Sequence, residues 1–386
     1  MSDGGRPRSR PWGSFCLFAA LFGALLSQPA LAQNRSGAPL PNKPALGPLG
    51  ERINSNTIAI ISGNLNATYV TIAYDLSAVL DDGDEFRVLP VIGKGGGQNI
   101  KDVRFLKGVD LGITQSNLLS YYKRTNEIGP IDDKIVYLAK LFNEEMHLIV
   151  REGSGINSIA DLAGKKVNFS DIGSGTQLST RDIFEKLGIK AEEVNMGQGD
   201  AFEALKRGEI AATILIAGKP TGSTAKLKAA DGFRLLPVAY DKPLQVDYLP
   251  TALTNADYPG LIAPGQKVDT VAVSAVLIAF NWPKNTDRYR RIQRFVDAFF
   301  PRLDEFQKAP RHPKWREANL AAVLPGWKRF EGADEWLARR EKVASSERDQ
   351  FGAFLAQRGP APVAQTTEDR DRLFQEFLTW SKVQRR

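Results

Sequence analysis

Residues 57–113 carry the clearest structural pattern of the chain and read TIAIISGNLNATYVTIAYDLSAVLDDGDEFRVLPVIGKGGGQNIKDVRFLKGVDLGI. Short apolar segments alternate in it with longer segments of helical periodicity. Strands are predicted at 57–61, 86–92 and 109–113, and helices at 68–80 and 99–106. This βαβαβ order predicts a parallel sheet, because parallel neighbours need a crossover connection between them.

A second, similar series follows the first. Its predicted elements are strands at 146–150, 166–169 and 210–217 and helices at 176–187 and 200–207. The long β-branched run at 268–281 is predicted to be a strand that passes between the two units. Beyond residue 285 the pattern is helical and amphipathic, with proline-rich turns at 310–313 and 359–362. The sequence therefore predicts two tandem α/β units followed by helices.

The first 32 residues have the features of a secretory signal peptide. Three arginines precede an apolar run at 15–26, and Ala30-Leu31-Ala32 forms a small-x-small cleavage site. We expect cleavage after Ala32 and export to the periplasm; the alternative is a membrane anchor, although the run is shorter than the roughly 20 residues of a span. Cys16 is the only cysteine and lies in this segment, so the mature chain is expected to lack disulfides and thiol chemistry. Residues 33–56 are predicted to be a Pro/Gly-rich leader.

Composition limits the class of protein. The 386 residues are 42% hydrophobic and 25% charged, which is ordinary for a globular chain with room for two domains. The formal net charge is +7, but residues 33–310 carry 33 positive and 32 negative side chains. No basic stripe interleaved with aromatic residues is present in the sequence, so we expect no nucleic-acid partner.

Four loops rich in glycine, amide and hydroxyl groups follow predicted strands. Ligands of parallel sheets bind beyond the carboxyl ends of the strands, where loop backbone and helix N-termini offer hydrogen-bond donors to an anion. The candidate ligand-binding residues, taken from these loops and from the end of the strand at 210–217, are Gly63, Asn64, Asn66, Thr68, Tyr69, Gln98, Asn99, Gln115, Ser116, Asn117, Gly173, Ser174, Gly175, Thr176 and Gly218.

Catalytic and metal-binding patterns are missing from the sequence. It contains no nucleophile elbow, no phosphate-binding P-loop and no Rossmann fingerprint. The only histidines, His147 and His312, lack metal-ligand spacing, and His147 is predicted to be a packed or surface strand residue. The acidic clusters at 81–85 and 144–145 are predicted to lie in solvated turns. We therefore expect neither an enzyme nor a metal or cofactor site.

Four blocks of this sequence resemble the TAXI-type solute receptors of tripartite ATP-independent periplasmic (TRAP) transporters. They are IAIISGNLNATYVTIAYDLS (58–77), GGGQNIKDVRFLKGVDLGITQSN (95–117), LAKLFNEEMHLIVREGSGINSIADLAGKKVNFSDIGSGTQLSTRDIFEKLGI (138–189) and IAATILIAGKP (210–220). The third block is the most specific, because its acidic residue, histidine, basic residue and Gly-Ser-Gly-Thr follow in the family's order. The resemblance covers about 57–306.

The resemblance implies a periplasmic binding protein fold of the second type, in which two α/β lobes joined by crossover strands close on a small organic anion such as an amino acid or dicarboxylate. We expect lobe 1 at 57–147 and about 270–310, and lobe 2 at 148–269. Residues 311–386 are then a helical C-terminal extension. Its aromatic residues are expected to pack on a lobe or to dock a partner, and they are Trp315, Trp327, Trp336, Phe351, Phe354 and Trp380.

The family pattern is only partly kept in the ligand loops. Gly63 and Tyr69 match it, and the Gly-Ser-Gly-Thr element at 173–176 is intact. The family's Gln-Ser-Asp appears as Gln-Ser-Asn, so that Asn117 replaces a carboxylate. If Asn117 faces the ligand, the loss of one negative charge favours an anionic or neutral ligand over one with an ammonium group.

The expected function is that of a monomeric extracytoplasmic solute receptor. It would capture a small organic anion, carboxylate or amino-acid-like, and deliver it to the integral-membrane subunits of a TRAP-type transporter. One alternative is a periplasmic ligand-sensing input protein for a membrane kinase. The other is an exported enzyme on the same fold.

Overall fold

The computed structural model describes residues 47–65, 67–358 and 367–384. The predicted signal peptide, Asn66 and the turn at 359–362 lie outside the described residues. The helices are α1 (Pro48–Asn56), α2 (Thr68–Leu80), α3 (Gly96–Phe105), α4 (Asn117–Thr125), α5 (Gly175–Lys186), α6 (Gln198–Arg207), α7 (Asp287–Phe299), α8 (Leu303–Phe306), α9 (Glu331–Arg358) and α10 (Thr367–Gln384). The strands are β1 (Thr57–Ile61), β2 (Arg87–Val91), β3 (Leu111–Gln115), β4 (Ile135–Arg151), β5 (Lys166–Asn168), β6 (Glu192–Val194), β7 (Ala212–Ala217), β8 (Phe233–Leu236), β9 (Leu249–Thr254) and β10 (Lys267–Phe280).

The ten strands form one mixed sheet in the order β2-β1-β3-β10-β4-β7-β5-β6, with β8 paired to β4 and β9 to β10. The predicted parallel pairings are present, because β1 lies parallel to both β2 and β3 and β5 lies parallel to both β6 and β7. The two halves are joined through β10 and β4, which run antiparallel to each other along the middle of the sheet.

The hydrophobic core is divided along these two long strands. Around β1–β3 and α7, the buried side chains Ile60, Leu76 and Phe299 belong to one cluster, to which β4 contributes Leu138 and β10 contributes Leu277. A separate cluster surrounds β5 and β7, and it takes other residues of β4 and β10, namely Leu148, Val150, Val271 and Val273. We call these parts the first and second lobe. The predicted two-lobed α/β fold is confirmed.

Strand β4 is much longer than predicted. Only 146–150 was expected to be strand, yet the strand has 17 residues and begins at Ile135. Polar residues at 140 and 143–145 interrupt the apolar pattern on which the prediction depended. The two buried carboxylates among them, Glu144 and Glu145, are accommodated because β4 lies between β10 and β7 and both have hydrogen-bond partners inside the protein.

Ordered structure begins before Thr57, where folding was expected to start. Helix α1 has a proline in its first turn, where a missing N–H costs nothing. Its last residue, Asn56, is buried; it donates to the Asp84 carbonyl at 2.7 Å and accepts from Arg294 Nη1 at 2.6 Å. These bonds attach the end of the predicted leader to the first lobe.

The first part of the predicted C-terminal extension belongs to the first lobe. Trp315 and Phe330 are fully buried in its core. Residues 318–330 are not helical, because their backbone pairs with β4: Tyr137 N donates to the Lys328 carbonyl at 3.0 Å and Phe330 N to the Tyr137 carbonyl at 2.8 Å. Helicity returns in α9, where Trp336 packs on Phe300.

Helices α9 and α10 contact each other through an aromatic cluster. Phe377 lies edge-on to Phe351 with ring centroids 5.1 Å apart, and Phe354 packs on Trp380 at 5.8 Å. Neither of these helices, nor any other in the described ranges, has the length and apolar character of a bilayer span.

Candidate functional site

The predicted ligand loops of the two lobes meet face to face. Gly96 begins α3 in the first lobe and Gly175 begins α5 in the second. A methyl group built on Gly96 would lie 2.1 Å from Gly175 Cα, so only glycine allows this approach. Beside it, Gln98 N donates to the Gly173 carbonyl at 3.0 Å. The structure is therefore a closed form in which loop backbone of one lobe touches loop backbone of the other.

Glu144 lies on β4 beside this junction. It accepts a hydrogen bond from the Tyr69 hydroxyl at 2.6 Å and another from the Gln115 amide. The expectation that Glu144 and Glu145 lie in a solvated turn is wrong, since they are only 4% and 2% exposed. The turn was expected because charged residues rarely occupy the middle of a strand; here both carboxylates have hydrogen-bond partners.

Burial dominates the electrostatics of this carboxylate. It raises the pKa of Glu144 to about 7, although the hydrogen bonds from Tyr69 and Gln115 act in the opposite direction. The pKa of the Tyr69 phenol is also raised well above its usual value, first by burial and then by Glu144. Tyr69 is therefore a hydrogen-bond donor at neutral pH, and Glu144 changes its protonation state close to neutrality.

Glu145, on the opposite side of β4, pairs with a residue that sequence reasoning missed. Lys314 is 3% exposed, and its Nζ lies 2.8 Å from Glu145 Oε1 and 2.8 Å from Glu317 Oε1. Glu145 Oε2 also accepts from the backbone N–H of Lys219 at 2.9 Å. The predicted site residue Gly218 adjoins this pair, because a methyl group there would lie 3.1 Å from Lys314 Cε.

A second polar network crosses between the lobes through Ser179 of α5. Its hydroxyl donates to Gln115 Oε1 at 2.6 Å, and it lies 2.9 Å from Asn117 Nδ2. Asn117 also donates to the Tyr248 hydroxyl at 2.9 Å, and that hydroxyl contacts Asp182 Oδ2 at 2.8 Å. Ser179 lies about one helical turn after the predicted Thr176, so helical periodicity could have indicated it.

Other predicted residues are held within their own lobe. The Thr176 hydroxyl accepts from Ile216 N at 3.0 Å and donates to the Ile216 carbonyl at 3.3 Å, which attaches α5 to β7. Ser174 caps α5 by accepting from Gln177 N at 3.1 Å. Ser116 offers its carbonyl to Trp327 Nε1 at 2.8 Å.

Asn99 is fully buried and fixes the loops of the first lobe. Its amide N–H₂ donates to the carbonyls of Ser62 at 2.9 Å and Ile113 at 2.7 Å, at the ends of β1 and β3. Its side-chain oxygen Oδ1 is buried and has no hydrogen-bond partner among the described residues. Asn99 therefore brings an unused acceptor to this part of the protein.

The remaining predicted residues lie at the margin of the lobe junction. Asn64 is exposed, and Thr68 and Gln98 are partly exposed, with Gln98 Nε2 donating to Asp102 Oδ1 at 2.9 Å. Gly63 is buried, and a methyl group there would lie 2.8 Å from Ala67 Cβ.

His147 and the first acidic cluster lie where they were predicted. His147 is fully buried on β4, with Nε2 2.6 Å from the Tyr258 hydroxyl, and burial lowers its pKa to about 4. It is a packed, neutral strand residue. Residues 81–85 are exposed in a turn. Among the described residues, no group of three or more His, Cys, Asp or Glu could hold a metal ion.

Solved structures with a similar fold share little sequence with this chain. One described as a periplasmic transporter is 14% identical, with 76% of this chain and 97% of that chain covered and a TM-score of 0.44. The substrate-binding protein of an ABC uptake transporter from Streptococcus pneumoniae, with bound histidine, is 14% identical, with 67% and 92% covered and a TM-score of 0.42.

The family comparison covers most of the chain. The model of the NMT1-like family matches residues 63–327. The match includes every predicted ligand loop and extends past 306 to Lys314 and Trp327. The chain therefore belongs to the NMT1-like family.

Proposed function

We propose that this chain is an extracytoplasmic solute receptor of the TAXI type, which captures a small organic anion, carboxylate or amino-acid-like, by closing its two lobes and delivers it to a TRAP-type membrane transporter. The observation that carries the proposal is the approach of Gly96 to Gly175, which places polar loops of both lobes against each other. A ligand held there contacts both lobes only in the closed form, so its binding energy favours closure.

The hinge in this proposal consists of β4 and β10. Both strands take part in the core of each lobe, so bending them separates the ligand loops while each core stays packed. The lobe boundaries at 57–147 with 270–310 and at 148–269 are part of the proposal, and the core residues Trp315 and Phe330 extend the first lobe beyond 310. Tyr69, Gln115, Asn117 and Ser179, which meet at the junction, are the side chains proposed to face the ligand. No catalytic role is proposed for them.

Native mass spectrometry of the protein purified from the periplasm of its own host tests this function. We expect a chain that begins at or near Gln33, carrying one non-covalent small-molecule adduct that is released on denaturation and identified as an organic acid or amino acid. Binding only to the folded state would stabilise the protein by mass action, so the same compound should raise its melting temperature.

The Gly175→Ala variant, purified in the same way, supplies the control because its lobes should not close. A folded wild-type protein that carries no compound enriched over this variant would contradict the proposal. Retention of the uncleaved N-terminus in the membrane fraction would contradict its export.

A further inference from the structure

The buried carboxylate of Glu144 at the lobe junction affects which ligand the junction can accept. Glu144 contacts Tyr69, from the first ligand loop, and Gln115, from the third. Gln115 in turn lies against the second lobe, because a methyl group on Gly175 would be 2.7 Å from its side-chain oxygen. Glu144 is therefore a buried carboxylate in direct contact with two of the residues proposed to face the ligand.

Three side-chain donors at this junction are already used by the protein. The Tyr69 hydroxyl donates to Glu144, the Asn117 amide donates to Ser179 and Tyr248, and the Thr176 hydroxyl donates to the Ile216 carbonyl. An anionic group can use these side chains only by taking them from buried acceptors, which then lose their partners. Backbone N–H groups in the first turns of α3 and α5 are left to hold a carboxylate.

Acceptor capacity, by contrast, is in excess. A carboxylate offers about four lone-pair sites, and Tyr69 and Gln115 occupy two of those on Glu144. The buried Oδ1 of Asn99, in the same group of loops, has no partner among the described residues. A site with spare acceptors favours a ligand that brings donors.

The negative charge of ionised Glu144 also favours a ligand that brings hydrogen-bond donors. A second carboxylate placed beside ionised Glu144 is repelled in a buried environment, whereas an ammonium group is attracted. Lys314 acts to lower the pKa of Glu144 but does not cancel its charge, because the same lysine also pairs with two other carboxylates, Glu145 and Glu317. The replacement of a carboxylate by Asn117, taken alone, predicts a preference for ligands without an ammonium group. Buried Glu144 reverses that prediction, because it supplies a carboxylate that the sequence indicated to be in a solvated turn.

We infer that Glu144 is the specificity-determining residue of this site and that it pairs with a protonated amine of the ligand. The ligand is then an amino acid or a related amine-bearing acid rather than a plain carboxylate. This inference rests on the proposed receptor function and narrows its ligand class.

Matched ligand pairs that differ only in the amine test the inference: L-aspartate with succinate, L-glutamate with glutarate, and L-alanine with propionate. Calorimetry on the full chain at about pH 8 should give, for at least one pair, an affinity about tenfold or more higher for the amine-bearing member. Glu144→Gln, which keeps the shape of the side chain, should remove that preference. Glu152→Gln, an exposed position just beyond β4, should keep it.

The wild-type protein gives an independent readout through pH. With a pKa of about 7, Glu144 is mostly neutral at about pH 5 and mostly ionised at about pH 8. Affinity for the amine-bearing ligand should therefore rise over this range. The other titratable or charged groups that act on Glu144 are Tyr69 from α2, Lys314 from the C-terminal segment and Glu145 on its own strand. The Tyr69 phenol keeps its proton over this range, because its pKa is raised well above the usual value. Burial also raises the pKa of Glu145, which is paired with Lys314.

Two different failures can be distinguished. If the desamino acid binds as tightly as its amino partner in every pair that binds, if Glu144→Gln keeps the amine preference, or if the copurified compound carries no amine, the inference is overturned and the receptor function stands. If the folded protein binds no member of any pair and copurifies with no compound, both the receptor function and the inference fall.

Discussion

Gly175→Ala is expected to prevent lobe closure and to lower ligand affinity by about a hundredfold or more. The new methyl group would lie 2.7 Å from Gln115 Cδ and from its oxygen Oε1. Gln115 cannot move aside without loss, because it is 1% exposed and hydrogen-bonded to Ser179 and Glu144. Within its own lobe, alanine fits the first turn of α5 and has the higher helix propensity, so the variant should fold normally.

Gly199→Ala is the matched control. Gly199 also lies in the first turn of a helix, α6, and a methyl group there would have no neighbour within 4 Å. We expect wild-type affinity and an unchanged or slightly higher melting temperature. Calorimetry with the compound released from the native protein provides the comparison. Equal affinity in the two variants would show that closure does not bring Gly175 against Gln115.

Lys314→Met is expected to reduce the free energy of unfolding by about 3–5 kcal/mol, because it leaves the buried Glu145 carboxylate without its cation. Both side chains of this pair are only 3% exposed. Adding Glu145→Gln should recover much of the loss, since the one carboxylate then left without Lys314 is that of Glu317, which is partly exposed. Urea unfolding followed by circular dichroism measures all three proteins.

Lys284→Met provides the surface comparison. Lys284 pairs with Glu331 and Glu335 at 2.9 Å but is 53% exposed. Removing an exposed pair is expected to cost at most about 1 kcal/mol. If Lys314→Met is no more destabilising than Lys284→Met, the 313–317 segment is not a structural part of the first lobe.

The fold could be predicted where hydrophobic periodicity is unbroken. The bounds of β1 and α2 agree with the predicted 57–61 and 68–80, because a continuous apolar run in the buried strand and an apolar helix face leave a clear pattern. The same reasoning failed in β4 and in 318–330. In β4, ion pairs and hydrogen bonds from other parts of the chain allow charged residues to be buried; in 318–330, tertiary backbone pairing overrides helical periodicity.

The candidate site was predictable only as a set of loops. Strand ends identified Tyr69 and Gln115, because parallel strands place such loops at one edge of a sheet. The groups that set its charge were not found, since Lys314 lies 169 residues from its partner Glu145 and no local pattern connects them. Tyr248 was missed for the same reason, as it is 131 residues from Asn117.

The central claim is that the two lobes open and close around a ligand, and an inter-lobe distance measures this directly. Cysteine spin labels at the exposed positions Lys94 and Ile172 would report on the two lobes, with Cys16, the only native cysteine, replaced by serine. In the wild-type protein, double electron–electron resonance should show a short distance between the labels that gains population when the compound released from the native protein is added. In Gly175→Ala it should show a longer distance with and without the compound. One unchanged distance, the same with and without the compound and in both proteins, would contradict the account.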